Sequence, residues 1–226
     1  MKKSLIYCSL FLSGIALQAQ EIGIYYGKNN VLMSQEADNR ISTTNSSGAP
    51  ETIVTDYSSS WGYELGMTYR HNLSHAFSAE YAFGYQSIRP DVDVTRILSN
   101  SSITKTERNT LNYLNIKPTL QYWLNDNWTI SGGLNLRLGM GGSYTLLNVY
   151  DEVFLKSEPK PFALNHLDAQ FGINYKLING LSLYSNFQLP MVNFNGAPKE
   201  YFYPTGIITF GAMFRIERDK LSSYSK

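Results

Sequence analysis

Between Trp128 and Gly142 the chain reads WTISGGLNLRLGMGG, with Leu134, Leu136 and Leu138 at alternate positions and Asn135, Arg137 and Gly139 in the gaps. A period of two marks a strand, because side chains at i and i+2 share one face of the pleat and those between them share the other. The strand must therefore separate an environment that takes leucines from one that takes an arginine. No other feature restricts the possible folds so strongly.

Seven further segments carry the same period. Ile22, Ile24 and Tyr26 open the series. Trp61, Tyr63, Leu65, Met67 and Tyr69 follow, set against Gly62, Glu64, Gly66, Thr68 and Arg70, and then Phe77 to Tyr85 against Ser78, Glu80, Gly84 and Gln86. Leu114, Ile116, Leu120 and Tyr122 oppose Asn115, Lys117, Thr119 and Gln121, with Pro118 predicting a bulge or edge-like defect. After the segment already quoted, Leu167, Phe171, Ile173 and Tyr175 oppose His166, Asp168, Gln170, Asn174 and Lys176. Leu181, Leu183, Phe187 and Leu189 oppose Ser182, Tyr184, Asn186 and Gln188, and Ile208, Phe210, Phe214 and Ile216 oppose Thr209, Gly211, Arg215 and Glu217. No long stretch has an apolar period of 3.6, so the class is all-β.

The connections alternate strictly between short and long. Tight turns are expected at 72–76 (NLSHA), 125–127 (NDN) and 178–180 (ING, with its favoured Asn-Gly), and long polar connections at 28–60, 89–108, 143–163 and 190–205, the second of which alternates enough around Val92, Val94 and Ile103 to extend its hairpin above the membrane. All tight turns then fall at one end of the sheet. Even strand number, short turns at one end and long loops at the other are the pattern of an eight-stranded antiparallel up-and-down transmembrane barrel. In such a barrel the leucines face hydrocarbon and Arg137 faces a polar interior; an arginine turned to the lipid midplane costs about 2 to 4 kcal/mol. Trp61, Tyr63, Trp123 and Trp128, near segment ends, suit an aromatic girdle. Alternation alone also fits a secreted soluble barrel of the lipocalin type, with its apolar face turned inward.

The N-terminus fixes the compartment. Lys2 and Lys3 precede an uncharged apolar run from Leu5 to Leu17 that ends in ALQAQ, the layout of a secretory signal peptide over residues 1–19, leaving a single barrel domain over 20–226. Cys8, the only cysteine, lies inside the signal, so the exported chain has neither a disulfide nor a thiol. Loss of Lys2 and Lys3 takes the formal charge from +1 to −1, and no basic field recruits nucleic acid.

With LQAQ, the eight segments and YLNIKPTLQYWLNDNWTISGGL at 113–134, the chain resembles the small outer-membrane barrels of the porin-like superfamily that includes PorT-like barrels, with Lys117 standing before Pro118 as a departure from the family hairpin. The resemblance implies the outer membrane of a Gram-negative cell, with long loops outside. It also implies recognition of the last strand by the barrel-assembly machinery, for which Phe214 offers the aromatic residue although RIERDKLSSYSK extends past it.

Three sets of residues are candidates for chemistry. Glu64, Arg70, Glu80, Lys117, Arg137, Asp168, Arg215 and Glu217 share the polar face and suit a lumen-filling charge network, with Arg70 expected opposite Glu80 across the 72–76 turn; a narrow ion path is the rival reading. His166, Asp168 and Ser143 make a weak hydrolase-like set, as in lipid-modifying barrels, and polar lining accounts for them more simply. Tyr201, Phe202 and Tyr203, in the last long loop, suit either contact with a partner or the membrane interface. Three scattered histidines and the pair Asp91 and Asp93 give no metal spacing, and no cofactor motif is present. The expected role is non-enzymatic: an envelope scaffold or surface-interaction protein, in contact with outer-membrane lipid and an envelope protein, with a secretion or assembly system as one setting for it.

Overall fold

The computed structural model describes residues 21–33, 40–44, 50–98, 101–147, 153–157, 165–194 and 204–217. The expected signal peptide and Tyr201, Phe202 and Tyr203 lie outside the described residues. The described chain is entirely strand and turn: β1 (Glu21–Met33), β2 (Arg40–Thr44), β3 (Pro50–Asn72), β4 (Phe77–Leu98), β5 (Ser101–Trp123), β6 (Trp128–Leu147), β7 (Val153–Ser157), β8 (His166–Ile178), β9 (Leu181–Asn193) and β10 (Pro204–Glu217). Eight of these form a closed antiparallel barrel in the order β1-β3-β4-β5-β6-β8-β9-β10, and β1 pairs with both β3 and β10 to complete the ring. Closure gives every wall strand two neighbours and removes the sheet edges that would otherwise leave backbone groups unpaired. The short β2 and β7 pair with the far ends of β3 and β6.

The tight turns gather at one end, with Glu21 and Glu217 paired there too. Each turn is set by its own residues. Ser74 Oγ accepts the backbone N–H of Ala76 and Phe77 at 3.3 and 3.1 Å. Asn125 Oδ1 accepts those of Asn127 and Trp128, both at 2.9 Å. Gly180 takes the positive φ of +84° that the Asn-Gly turn requires.

The faces separate as the alternation predicts. Asn135 and Arg137 are fully buried inside the barrel, while Leu134 beside them is 44 % exposed and Phe171 on the neighbouring strand 56 % exposed. Ile24, Leu65, Met67, Leu120, Leu183, Phe210 and Phe214 also face outward, whereas Glu64, Gln86, Asn115, Gln121, Asp168 and Gln188 are enclosed. A soluble lipocalin-type barrel needs the opposite arrangement, so that alternative fails.

Three expectations are corrected. First, two long connections hold more strand than loop: β3 starts at Pro50, inside 28–60, while in 89–108 the hairpin extension expected from Val92, Val94 and Ile103 is present, with β4 running to Leu98 and β5 starting at Ser101. β-Branched residues pair across the β4–β5 extension, with the hydroxyls of Thr95 and Thr104 at 3.0 Å and Thr106 donating to Asp93 at 2.5 Å. Second, Pro118 interrupts the ladder to β6, where neither Lys117 nor Pro118 has a rung, but it makes no bulge: the register on its two sides, Ile116↔Leu136 and Thr119↔Gly133, is unshifted. The register shift sits at Asn112/Tyr113, opposite Gly139 and Gly141, and Gly141 has φ +112°. Third, Trp123 points into the barrel mouth, where Arg70 lies 4.9 Å from its ring, so it is not part of an outer girdle. The outer aromatic pairs at that end are Phe77–Tyr122 and Trp128–Tyr175, at 5.0 and 4.7 Å between centroids.

Packing inside the barrel relies on missing side chains. A Cβ on Gly66 would meet Phe83 O at 2.2 Å, Gly84 Cα at 2.6 Å and the Tyr25 ring at 2.8 Å, whereas one on Gly132 meets nothing within 4 Å. Gly66→Ala is therefore expected to cost about 1 to 3 kcal/mol through overpacking, and Gly132→Ala is expected to leave the urea midpoint unchanged. The folded fraction, read from the heat-modifiable band across a urea series, measures both.

Candidate functional site: a plugged polar lumen

The lumen is filled in layers that follow from strand register. Nearest the turns, Glu80, Arg70, Glu21 and Glu217 occupy one rung across β4, β3, β1 and β10. Arg70 is thus opposite Glu80 in register, as expected, but its guanidinium is bound by Glu21, while Glu80 is bound by Arg215 from across the barrel. The expected Arg70–Glu80 partnership is corrected accordingly, because closing the ring brings β1 and β10 to the same charges. The side chain of Glu217 lies outside the described set.

The middle layer centres on Glu64, which accepts from Lys117 Nζ at 2.6 Å and from Tyr184 Oη at 3.0 Å. The Lys117 ammonium also lies 5.4 Å from the Tyr25 ring centre. Tyr25 and Tyr184 pack edge to face at 6.1 Å, with Ala82 and Met213 in the same cluster. Above them, Asn115 Nδ2 donates to Gln86 Oε1 at 3.2 Å, and Gln86 Nε2 donates to Gln188 Oε1 at 3.4 Å. Arg137 binds Asp168 through two bonds, Nε to Oδ2 at 2.6 Å and Nη2 to Oδ1 at 3.0 Å, with both side chains fully buried. Its guanidinium carbon lies 5.0 Å from the Tyr113 ring centre.

Toward the long-loop end the lining becomes apolar: Val31, Ile88, Tyr113 and Ile207 form a buried cluster backed by Leu111. The sequence reading missed this layer, along with Glu21, Tyr25 and Met213. Tyr184 sat visibly on the polar face of its segment, but Val31 lies in a stretch read as loop, and a two-residue period cannot show an apolar patch on an inward face.

The hydrolase-like set does not come together. Asp168 gives both oxygens to Arg137, His166 sits beside the Tyr113 ring at 6.0 Å, and Ser143 is six residues along β6 from the partner of His166, roughly 20 Å away. Beyond the barrel proper, Asp91 accepts from Ser60 at 2.5 Å and lies 3.7 Å from Arg108. Burial holds its carboxyl above the ordinary carboxylate range.

Among the described residues the middle of the lumen is tightly filled. The void beside Glu64, Lys117 and Tyr184 measures about 20 Å³, room for roughly one water molecule. At the turn end a wider cavity of about 850 Å³ opens outward.

No family model matches the sequence, and no curated protein sequence matches it. Among solved structures, the attachment invasion locus protein Ail of Yersinia pestis is similar over 88 % of this chain and 99 % of its own, at 10 % identity and a TM-score of 0.46. OprG from Pseudomonas aeruginosa is similar over 88 % and 97 %, at 13 % identity and TM-score 0.37, and the KdgM porin over 85 % and 98 %, at 12 % and 0.28.

Removing one member of a fully buried ion pair strands its partner. Arg137→Leu and Asp168→Leu are each expected to cost on the order of 3 to 5 kcal/mol, and the double variant much less than their sum. Urea unfolding of the four proteins of this cycle, in detergent or lipid, gives the coupling.

Proposed function

We propose that this chain is a sealed, non-enzymatic outer-membrane barrel that holds a tall β-wall and its loops at the cell surface for an envelope or external partner. The observation that carries the reading is the inverted distribution of side chains. A belt of leucine, isoleucine, phenylalanine and methionine faces outward around an enclosed set of glutamate, lysine, arginine and glutamine. Water gives such an outer face no reason to exist, whereas hydrocarbon does, and closure satisfies the backbone where water is absent.

The strand lengths support the presenting role. β1, β8, β9 and β10 have 13 or 14 residues, close to the 9 to 11 or so needed to cross a bilayer, whereas β3, β4, β5 and β6 have 20 to 23. The surplus in four adjacent strands extends the wall by roughly 30 Å along the strand direction. With the tight turns in the periplasm this wall stands outside the cell. The pinch near Glu64 and the apolar layer at Ile88 and Ile207 argue against conduction. Outer-membrane lipid and the barrel-assembly machinery are the partners this location entails, and the resemblance to PorT-like barrels is consistent with a place in an envelope assembly.

The test is a fluorophore attached to Phe171→Cys in the mature chain, which has no other cysteine. Vesicles of lipid brominated on the acyl chains should quench it strongly, and a label at Ser58→Cys on the extended wall should not be quenched. An unquenched Phe171 label on a folded, heat-modifiable barrel overturns the membrane reading. The same preparation in planar bilayers is expected to show no stepwise conductance.

A further inference from the structure

The wide cavity at the turn end is a vestibule that shares no lining residue with the single-water void beside Glu64. Its volume of about 850 Å³ falls in the range of small-ligand sites, roughly 300 to 1,000 Å³. Three cations, Arg70, Arg215 and Lys176, line it together with Glu21, Trp123 and a polar rim that includes Asn174. Glu21 holds Arg70 and Glu80 holds Arg215. Lys176 has no acid partner among the described side chains.

The two arginines are more than nine-tenths buried, and the Nε–H of each lacks an acceptor. A buried donor on a charged group left without an acceptor is costly, so a ligand oxygen that supplies one is favoured. Both guanidinium groups are already positioned, Arg70 by Glu21 and the Trp123 ring and Arg215 by Glu80.

We propose that the vestibule is a binding site for a small oxyanion, phosphate or carboxylate, which enters from the turn side and is held by Arg70, Arg215 and Lys176. A small rotation of each guanidinium within the cavity turns its unpaired N–H toward the anion, and the amide of Asn174 serves any hydroxyl-bearing body the anion carries. The site goes beyond the presenting role and stands on the lumen alone; it would exist whichever partner meets the wall.

The test is calorimetric titration of the folded mature chain in zwitterionic detergent at low salt, with inorganic phosphate, glucuronate and glucose as separate titrants. Saturable single-site binding of phosphate alone supports a free-oxyanion site, and binding of glucuronate alone, or of both anions, supports one that accepts a carboxylated sugar. Lys176→Gln, which breaks no ion pair, and Arg215→Gln are expected to weaken the binding at least tenfold while the heat-modifiable band is retained. If Arg215→Gln does not fold, Lys176→Gln decides. Absence of saturable binding by either anion, an equal response to glucose, or unchanged affinity in Lys176→Gln overturns the proposal.

Discussion

A charged interior can be closed only if every charge meets its opposite within it. The fully buried Arg137–Asp168 pair is the clearest case, and the Lys117–Glu64–Tyr184 cluster repeats the solution lower down. Taking an ion out of water costs several kcal/mol unless its partners and hydrogen bonds return it. Here the partners come from different strands: β6 to β8 in the first case, and β5 to β3 and β9 in the second. The network can therefore be complete only when the ring is closed, so barrel geometry and charge pairing depend on each other.

Lumen packing follows from that dependence. Tyr25 and Tyr184 fill the middle because glycines on facing strands leave room for their rings: Gly66 and Gly84 beside Tyr25, Gly27 and Gly211 beside Tyr184. Their bulk reduces the centre to a void of one water molecule, and an apolar layer stands above it. A pore would need these side chains removed, whereas a scaffold gains rigidity from them.

The side-chain period made the faces legible. Asn135 and Arg137 inside and Leu134 outside could be read from one strand, and the turns at Ser74, Asn125 and Gly180 were readable from local chemistry. The choice of partners was not readable. Arg70 binds Glu21 rather than the Glu80 facing it, because the decisive neighbour arrives through closure from the other end of the chain. The wall extension was legible in part: Val92, Val94 and Ile103 alternate within 89–108, whereas the pairing of Thr95 with Thr104 and of Thr106 with Asp93 becomes visible only once β4 and β5 are side by side, and the start of β3 at Pro50 gave no such signal. Trp123 looked like an interfacial residue from its position at a segment end, but its parity with Gln121 puts it inside.

Every neighbouring pair of wall strands but one is consecutive in sequence, and the exception is the seam between β1 and β10, whose 13 rungs join residues from Met33 and Pro204 at one end to Glu21 and Glu217 at the other. Loop-closure entropy makes local hairpins inexpensive and that seam the slowest contact to form. Until it zips, β1 and β10 each present a bare edge, and the charges of Glu21, Arg215 and Glu80 wait without their final arrangement. The order of assembly is thereby written into the topology, with the two ends of the chain meeting last.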